Sequence, residues 1–393
     1  MAYTMLHTFG PGHDWSVPGD IWSAYRSADY IAWGAYGAIY AVGTNVITFP
    51  GMLVVLAPVA KLTGALGLRE DLVTIPHPTS WYVLGPYEIA LSSMALFASD
   101  ALADRLGVSR ARRRFLCVAQ AIVLWNVDVV WGHPEDAVAV ALVIYALIQA
   151  FDGRWARVGW LMGTAVAMQP LVLLILPLLV FAVVERSKVA SFLVRTIAPS
   201  VVLLTVPLIS NFSATFHTIV RQPNYPLIDH ITPWTSMAPK LGGAGTSVAV
   251  AAGPGRIVAL ICSLLLGIWA RRWREDHLMV VWAAGICLAL RCFTESVMVP
   301  FYIWPALAMC LLVAVRSARW RLGAAAVVGV AITIYSDYHL GPWWMWWSVV
   351  SFGLVAVLLL ARPDVSEKPT RPDGQGRQPP TDDDSPALLG ALE

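Results

Sequence analysis

The chain has 393 residues, of which 58% are hydrophobic and only 13% are charged, and its mean hydropathy is +0.64. These values exclude an ordinary soluble domain and indicate a protein that crosses the membrane many times. The formal net charge is only +2, so charge gives no argument for nucleic-acid binding. The five cysteines show no CxxC or Cys/His spacing, and they predict neither a metal site nor a disulfide framework.

The first 80 residues contain no segment that clearly crosses a membrane. Residues 18–51 are aromatic and amphipathic, but they are too polar and too rich in glycine to span a bilayer. Residues 51–68 are apolar, but Pro58 and Lys61 interrupt them, so we interpret them as an interfacial or re-entrant helix. Residues 1–80 are therefore predicted to form a first loop with amphipathic or re-entrant helices.

Apolar segments separated by basic or Pro/Gly-rich breaks fill the chain from residue 81 to residue 361. They predict an all-α polytopic membrane protein with about 11 transmembrane helices in this region. The predicted helices lie near 81–103, 115–131, 136–151, 156–169, 171–185, 191–210, 256–271, 278–293, 298–315, 320–336 and 342–361.

Basic residues mark one side of the membrane. Most of the 27 lysines and arginines fall in five loops that alternate along the chain, and several more lie in the C-terminal tail. By the positive-inside rule, these loops and the tail, residues 362–393, are predicted to be cytoplasmic. The tail is rich in Pro and Asp and is predicted to be disordered. The first loop, with its amphipathic helices, and the long loop 211–255 are then expected outside the cytoplasm.

This orientation requires the chain to be outside the cytoplasm before its first predicted spanning helix. Nothing in residues 1–80 explains how they would cross the membrane. We therefore expect an upstream transmembrane helix that this sequence does not contain. An in-frame apolar stretch upstream of Met1 in the genome would support that expectation, and a stop codon immediately upstream would contradict it.

Two predicted hairpins are too short for the bilayer. The arms within 156–185 have about 15 residues each, roughly 22 Å at 1.5 Å per residue, whereas the hydrocarbon core is about 30 Å thick. The turn Gln169-Pro170 and the turn 132–136 are therefore expected to lie below the outer surface. Irregular backbone is tolerated at this depth only where it lines protein or a wet cavity. We predict a recessed outer vestibule with these two turns at its floor and residues 1–70 above it.

Carboxylates on the predicted outer face are the first candidates for chemistry. Asp20 precedes the helical run IWSAYRSADYIAW, where it fits either an N-cap or a general base that takes a proton from a hydroxyl. Glu135 and Asp136 fit either a solvated turn with an N-cap, or a site for sugar hydroxyls or a cation. His133 is interpreted as a structural residue or a hydrogen-bond donor rather than a metal ligand.

Two arginines on the same face are candidates for phosphate binding, because a guanidinium group matches the geometry of phosphate oxygens. They are Arg221 and Arg291. Arg221 also fits an ordinary surface loop, whereas Arg291 lies at the end of a predicted helix. Most of the 18 tryptophans are interpreted as residues of the membrane–water interface.

The order of several motifs resembles the GT-C membrane glycosyltransferases, in particular the bacterial branch of polyprenyl-phosphate-mannose-dependent alpha-mannosyltransferases. The resemblance covers most of residues 18–315 and is one of pattern. The matching features are Asp20, Tyr25-Arg26, Gly37 with Tyr40, Phe49-Pro50, LVVLAPVAKL, the turn at Gly132, VGWLMGTAVAMQP and VPFYIWPAL.

Three features depart from that family pattern. The expected first helix is absent from the sequence. Gln169 stands where the family tends to have lysine, which shifts the expected contact with the lipid phosphate to Arg221 or Arg291. Phe301 stands where a histidine often precedes the tyrosine, which removes one candidate for the donor phosphate.

The resemblance implies transfer of a sugar, with mannose favoured over arabinose or glucose, from a polyprenyl-phosphate donor to a glycan or glycolipid hydroxyl. Transfer would take place on the outer face of the cell membrane during synthesis of envelope lipoglycans, and no nucleic acid is expected to bind. Asp20 would be the base, and an arginine would stabilise the leaving polyprenyl phosphate. No cofactor or metal ligand set is predicted, although a divalent cation stays an open alternative. The expected substrate contacts are Tyr25, Arg26, His133, Glu135, Asp136, Gln169 and Tyr302.

Two other functions fit the same sequence. A transporter or lipid flippase could move its substrate through the same cavity, although we detect no paired, inverted repeats of the kind that transporters show. A scaffold with the same fold and no activity is the second alternative. Substitution of Asp20 distinguishes them, because only the transferase depends on a base.

Overall fold

The computed structural model describes residues 19–41, 46, 48–68, 79–125, 127, 131–224, 230–242, 248–338 and 341–364. Residues Met1–Pro363 form one unit, and helices follow one another through its described parts. Most of the predicted tail, residues 362–393, lies outside the described residues. The helices are α1 (Gly19–Ala32), α2 (Pro50–Ala65), α3 (Trp81–Arg105), α4 (Arg110–Trp125), α5 (Pro134–Phe151), α6 (Trp155–Met168), α7 (Val189–Ser210), α8 (Phe212–Arg221), α9 (Gly255–Trp269), α10 (His277–Thr294), α11 (Trp304–Ala314), α12 (Arg319–Asp337) and α13 (Trp343–Ala361).

The predicted helices are confirmed as helical segments, mostly to within two or three residues at their ends. The largest differences are in α4 and α11. The helix α4 runs from Arg110 to Trp125 rather than from near residue 115 to near residue 131. Its first residues, RARRR, are polar but rich in good helix formers, so the helix begins before the apolar part of its sequence. The helix α11 begins at Trp304 rather than near residue 298, because a short strand and a 3₁₀ turn, Pro300–Ile303, precede it.

The expectation of an all-α chain needs one small correction. His230–Ile231 (β1) pairs antiparallel with Val297–Met298 (β4), and Lys240–Gly242 (β2) pairs with Ala249–Val250 (β3). Strands of two or three residues are too short to show an alternating pattern, so hydropathy does not predict them.

An irregular helical segment, residues 170–183, connects α6 to the turn before α7. It begins as a tight 3₁₀ helix at Pro170, continues as a single α-turn and ends as a wide π-helical turn, Leu179–Val183. Pro170 and Pro177 have no backbone N–H to donate, and each lies at the start of one of these short helical pieces, where proline is tolerated. The sequence predicts a plain helix over 171–185, so the irregularity is a finding of the structure.

Four described helices are long and apolar enough to cross a membrane: Pro134–Phe151, Arg186–Ser210, His277–Thr294 and Trp343–Ala361. Only 17% of the apolar 18-residue window of Arg186–Ser210 is buried within the protein. Many of the exposed side chains of this stretch are apolar, and Val194, Val202 and Ile209 are 68%, 66% and 82% exposed. An apolar helix surface of this size is suited to contact with lipid. The structure is thus that of a helical membrane protein.

The two N-terminal helices pack onto the rest of the fold through a close backbone contact. Gly51, in the first turn of α2, lies against the end of α6, and a Cβ atom there would lie 2.5 Å from the carbonyl oxygen of Ala167. Only glycine permits this approach. The contact brings Phe49 next to Gln169, the residue at which α6 ends.

A second close glycine contact, between α6 and α7, generates a stability prediction. A Cβ at Gly163 would lie 2.7 Å from the carbonyl oxygens of Arg195 and Thr196, so we expect Gly163→Ala to lower the free energy of unfolding by about 1–3 kcal/mol. The control is Gly323→Ala in α12, where a Cβ meets nothing within 4 Å. That change is expected to be neutral or to stabilise the helix by up to about 1 kcal/mol. Thermal unfolding of both variants in one detergent checks this, and equal effects would contradict it.

Candidate active site

The centre of the candidate site is His133, which lies between two carboxylates. Its Nδ1 is 2.7 Å from Oε1 of Glu135, and its Nε2 is 2.9 Å from Oδ2 of Asp20. The ring also stacks on Phe301, with the ring centres 3.7 Å apart. Since only the protonated imidazole carries two N–H donors, this arrangement indicates a charged His133.

Local backbone geometry creates this arrangement. Gly132 has a left-handed conformation, with φ of +66°, and it turns the chain sharply so that α5 begins at Pro134. Glu135 then lies in the first turn of α5, where the helix dipole favours a carboxylate. Asp20 lies in the first turn of α1 in the same way. Neither residue is the N-cap, since α5 begins after His133 and α1 begins at Gly19.

The pKa values of this cluster follow from the pairing. Burial alone would lower the pKa of His133, but Glu135 and Asp20 outweigh it and raise that pKa well above the ordinary value. Partial burial raises the pKa of Asp20, but the hydrogen bond and charge of His133 prevail and lower it overall. Asp20 is thus ionised at neutral pH while its side chain is still 56% exposed.

The two turns expected at the floor of a vestibule meet. Gln169, at the end of α6, donates a hydrogen bond from Nε2 to Oδ1 of Asp136, at a distance of 2.7 Å. Asp136 is 1% exposed, and its Oδ2 has no hydrogen-bond partner among the described residues. A buried carboxylate oxygen without a donor is costly, which is typical of a site that binds a ligand hydroxyl or water.

Two arginines and a glutamate form the other half of the site. Nε of Arg256, at the start of α9, lies 2.8 and 3.0 Å from the two carboxylate oxygens of Glu295. Arg291 lies over the ring of Tyr302, with its Cζ 3.3 Å from the ring centre, and its Nε is 3.7 Å from Glu295. The Nη1 atom of Arg291 is buried and has no hydrogen-bond partner in the described part of the chain.

Two adjoining cavities connect His133 and Glu135 with the two arginines, whereas Asp20 and Asp136 line neither cavity. The residues that line both cavities are Phe49, Gln169, Pro170, Gln222, Arg256 and Arg291. The polar cavity measures about 60 Å³. Its other lining residues include His133, Glu135, Asn224, Phe301 and Tyr302.

The second cavity is larger, about 300 Å³, and is mostly apolar. Its walls come from segment 170–183 and α9. Leu173 and Leu260 line it and are 38% and 51% exposed, so the cavity opens sideways onto the apolar flank of the protein. Arg291 therefore lies where a polar chamber meets an apolar, laterally open one.

The structure brings most of the predicted site residues together and leaves three apart. Tyr25 is buried, and its hydroxyl contacts Thr63 in the packing of α1 on α2. Arg26 is exposed, 5.4 Å above the ring of Trp22, and Arg221 is exposed at the end of α8. None of the three lines either cavity. The residues that do meet are Asp20, His133, Glu135, Asp136, Gln169, Arg291 and Tyr302.

Sequence reasoning missed Arg256, Gln222 and Asn224. A signal for Arg256 was present, since it is one of few basic residues outside the basic loops and it directly follows the break Gly253-Pro254-Gly255. Gln222 and Asn224 gave no such signal. Gln222 has φ of +42°, and Asn224 pairs with Val250 through backbone hydrogen bonds.

The described residues contain no group of three or more His, Cys, Asp or Glu side chains arranged to hold a metal ion. A scan of the chain against protein-family models gave no match, and a search of the curated proteins gave none either. Function must therefore be argued from the site itself.

The pairing of His133 generates a pH prediction. A histidine with a raised pKa in the folded state stabilises the fold below its ordinary pKa, about 6.5, and loses that contribution as the pH rises through the raised value. We expect the melting temperature to fall as the pH is raised above about 6.5. His133→Gln should be less stable at pH 6.5 and show a flatter profile.

The matched control is His217→Gln, which removes an exposed histidine of α8. Thermal unfolding from pH 6 to pH 9 is the measurement, and the control should follow the unmodified protein. A His133→Gln profile parallel to both would show that His133 is not charged in the folded state.

Proposed function

We propose that this protein transfers a sugar, with mannose the first choice, from a polyprenyl-phosphate donor to a hydroxyl of a glycan or glycolipid. The transferase would have a GT-C-like fold with about 11 transmembrane helices. The site would face the outside of the cell membrane and the C-terminal tail the cytoplasm. The role fits synthesis of cell-envelope lipoglycans.

The observation that carries this proposal is the position of Arg291. Its buried Nη1 has no hydrogen-bond partner among the described residues, and the residue lines both the polar and the apolar cavity. Arginine is well suited to phosphate oxygens. A phosphodiester at Arg291 would have the sugar on one side, in the polar cavity, and the polyprenyl chain on the other.

The apolar cavity supports a lipid-linked donor rather than a water-soluble one. Leu173 and Leu260 leave it open toward the membrane-facing flank, so a prenyl chain could extend from it into lipid without leaving an apolar environment. The volume of about 300 Å³ is sufficient for only the first part of such a chain. The rest of the donor would stay in the bilayer.

Arg256 and Glu295 support the charge balance that the reaction requires. Glu295 holds Arg256 at 2.8 Å and lies 3.7 Å from Nε of Arg291. The three groups together carry one net positive charge, which matches a phosphodiester in the substrate. The positive charge stabilises the phosphate more strongly as it leaves and gains a second negative charge.

Asp20 is the proposed base. Its carboxylate is ionised and more than half exposed, so an acceptor hydroxyl can approach it. The acceptor oxygen would attack the anomeric carbon as the bond from that carbon to the phosphate oxygen breaks. The bonding electrons leave with the polyprenyl phosphate, the hydroxyl proton passes to Asp20, and the anomeric configuration inverts. A carboxylate with a lowered pKa accepts the proton late, once the attacking hydroxyl has become strongly acidic by bonding to the anomeric carbon.

His133 acts as a positioning residue in this proposal. It holds Asp20 through Nε2 and is itself held by Glu135 and by stacking on Phe301. Gln169 lines both cavities and donates a hydrogen bond to Asp136, which is buried behind it. The Oδ2 of Asp136, which has no partner among the described residues, could accept a hydrogen bond from a sugar hydroxyl that displaces Gln169. Because His133 holds the carboxylate of Asp20 in place before the acceptor binds, less conformational entropy is lost when the reacting groups are brought together.

The base generates the first test of function. We expect Asp20→Asn to lower the rate of mannose transfer from synthetic polyprenyl-phosphate mannose by about 10²–10⁴-fold, with little change in donor binding. Asp29→Asn is the control, since Asp29 lies on the same helix and its carboxylate bonds to Trp33. Radiolabel transfer by the purified protein is the measurement. Equal rates for Asp20→Asn and the unmodified protein would defeat the assignment of the base.

The phosphate site generates a second test. Loss of a hydrogen bond to a charged group costs about 1.5–3 kcal/mol, so Arg291→Gln is expected to raise the KM for the donor by roughly 10–150-fold. Arg221→Gln should leave it unchanged, because Arg221 is exposed and lines neither cavity. The opposite result would move the phosphate site to the outer loop.

The same preparations separate the transferase from a transporter or flippase. A flippase in proteoliposomes would move the labelled donor between leaflets, and Asp20→Asn would leave that movement nearly unchanged. Donor movement without any sugar transfer, in the unmodified protein and in the variant alike, would replace the present proposal.

A further inference from the structure

A third cavity lies at the far end of the helices that form the candidate active site. It measures about 580 Å³ and is lined by Arg186, Arg271 and Arg274. Arg274 stands just before the start of α10, and Arg291 lies near its end. The length of α10, 18 residues, separates the two sites by about 27 Å at 1.5 Å per residue. The cavity shares no lining residue with the two cavities of the active site.

The three arginines are exposed, and none of their guanidinium groups has a hydrogen bond or ion pair with another described residue. Two other arginines of the basic loops are paired, Arg105 with Asp152 and Arg113 with Asp100. Arg110, Arg114 and Arg319 are exposed like the cavity arginines, but they do not line the cavity. The acidic neighbours in sequence, Glu185 and Glu275, do not line the cavity. It is therefore a concentrated positive site without a compensating carboxylate in its wall.

The remaining wall of the cavity is apolar. Val180, Phe181 and Val184 line it, and Phe181 is 40% exposed. They belong to the wide π-helical turn at the end of segment 170–183 or follow it directly. Such turns are frequent at functional sites. A free inorganic anion would gain nothing from this apolar wall, whereas an amphiphile would contact both parts.

A tight contact separates this cavity from the apolar cavity of the active site. A Cβ at Gly267 of α9 would lie 2.7 Å from the carbonyl group of Pro177, so α9 and segment 170–183 touch closely there. The active-site cavity is lined by residues of both elements, including Leu173 and Leu260. The arginine cavity is lined by the end of segment 170–183 and by Arg271 and Arg274, which follow α9 in sequence. The two cavities are therefore distinct sites.

We propose that the arginine cavity binds the phosphate headgroup of an anionic phospholipid, with the first part of an acyl chain against Val180 and Phe181. Basic pockets between membrane helices on the cytoplasmic side are suited to such headgroups. The positive-inside rule places this end of the protein in the cytoplasmic leaflet. The proposal does not depend on sugar transfer, because it concerns a separate site at the other end of the helices.

The test is lipid binding by the full-length protein in detergent, measured by native mass spectrometry during titration with phosphatidylglycerol or phosphatidylcholine. The test variant combines Arg186→Gln, Arg271→Gln and Arg274→Gln. The control combines Arg110→Gln, Arg114→Gln and Arg319→Gln, which removes the same charge from exposed arginines that do not line the cavity.

We expect phosphatidylglycerol to bind more tightly than phosphatidylcholine. Each cavity arginine should contribute roughly fivefold, so the triple variant should lose on the order of 100-fold and the control less than about twofold. Should the triple variant fail to fold, Arg271→Gln alone should still lose roughly fivefold. Equal loss in variant and control, or equal binding of the two lipids, would overturn the proposal. So would full competition by glycerol phosphate, which would indicate a site for a soluble anion.

Discussion

A charged imidazole ring is stable inside a protein only when partners compensate it, and His133 has two, the carboxylates of Asp20 and Glu135. This interaction fastens α1, which precedes the transmembrane region in sequence, to the start of α5. Phe301 covers the ring on one face. Loss of either carboxylate would leave the buried charge of His133 with only one partner, so the position of the proposed base and the charge of this ring depend on the same contact.

The second organising feature is the groove between segment 170–183 and α9. The segment changes from a 3₁₀ helix at Pro170 to a π-helical turn at Leu179–Val183. Gly267 allows α9 to approach it closely at Pro177. The first part of the segment lines the apolar cavity beside Arg291, and its last part lines the arginine cavity. One irregular segment thus contributes to two sites of different chemistry.

The candidate site was predictable where its signal was local. The short helical arms beside two turns predicted that His133 and Gln169 lie below the membrane surface. A carboxylate at the start of a helical run indicated Asp20. Arg256 was overlooked because its importance comes from Glu295, which lies 39 residues further along the chain. Tyr25 fitted the family resemblance equally well, but its hydroxyl contacts Thr63 in the packing of α1 on α2. A residue of a short helix can face either the core or the site, and the sequence does not show which of the two it faces.

The sequence by itself determined the helices, their apolar faces and the concentration of arginine on alternate loops, because hydropathy and charge are read over short stretches. Only the tertiary structure decided which polar groups meet. Asp20 and His133 are 113 residues apart, and their 2.9 Å contact results from the packing of α1 and α2 onto the ends of α5 and α6. Long-range contacts of this kind leave no local pattern, so the chemistry of the site became visible only in the folded chain.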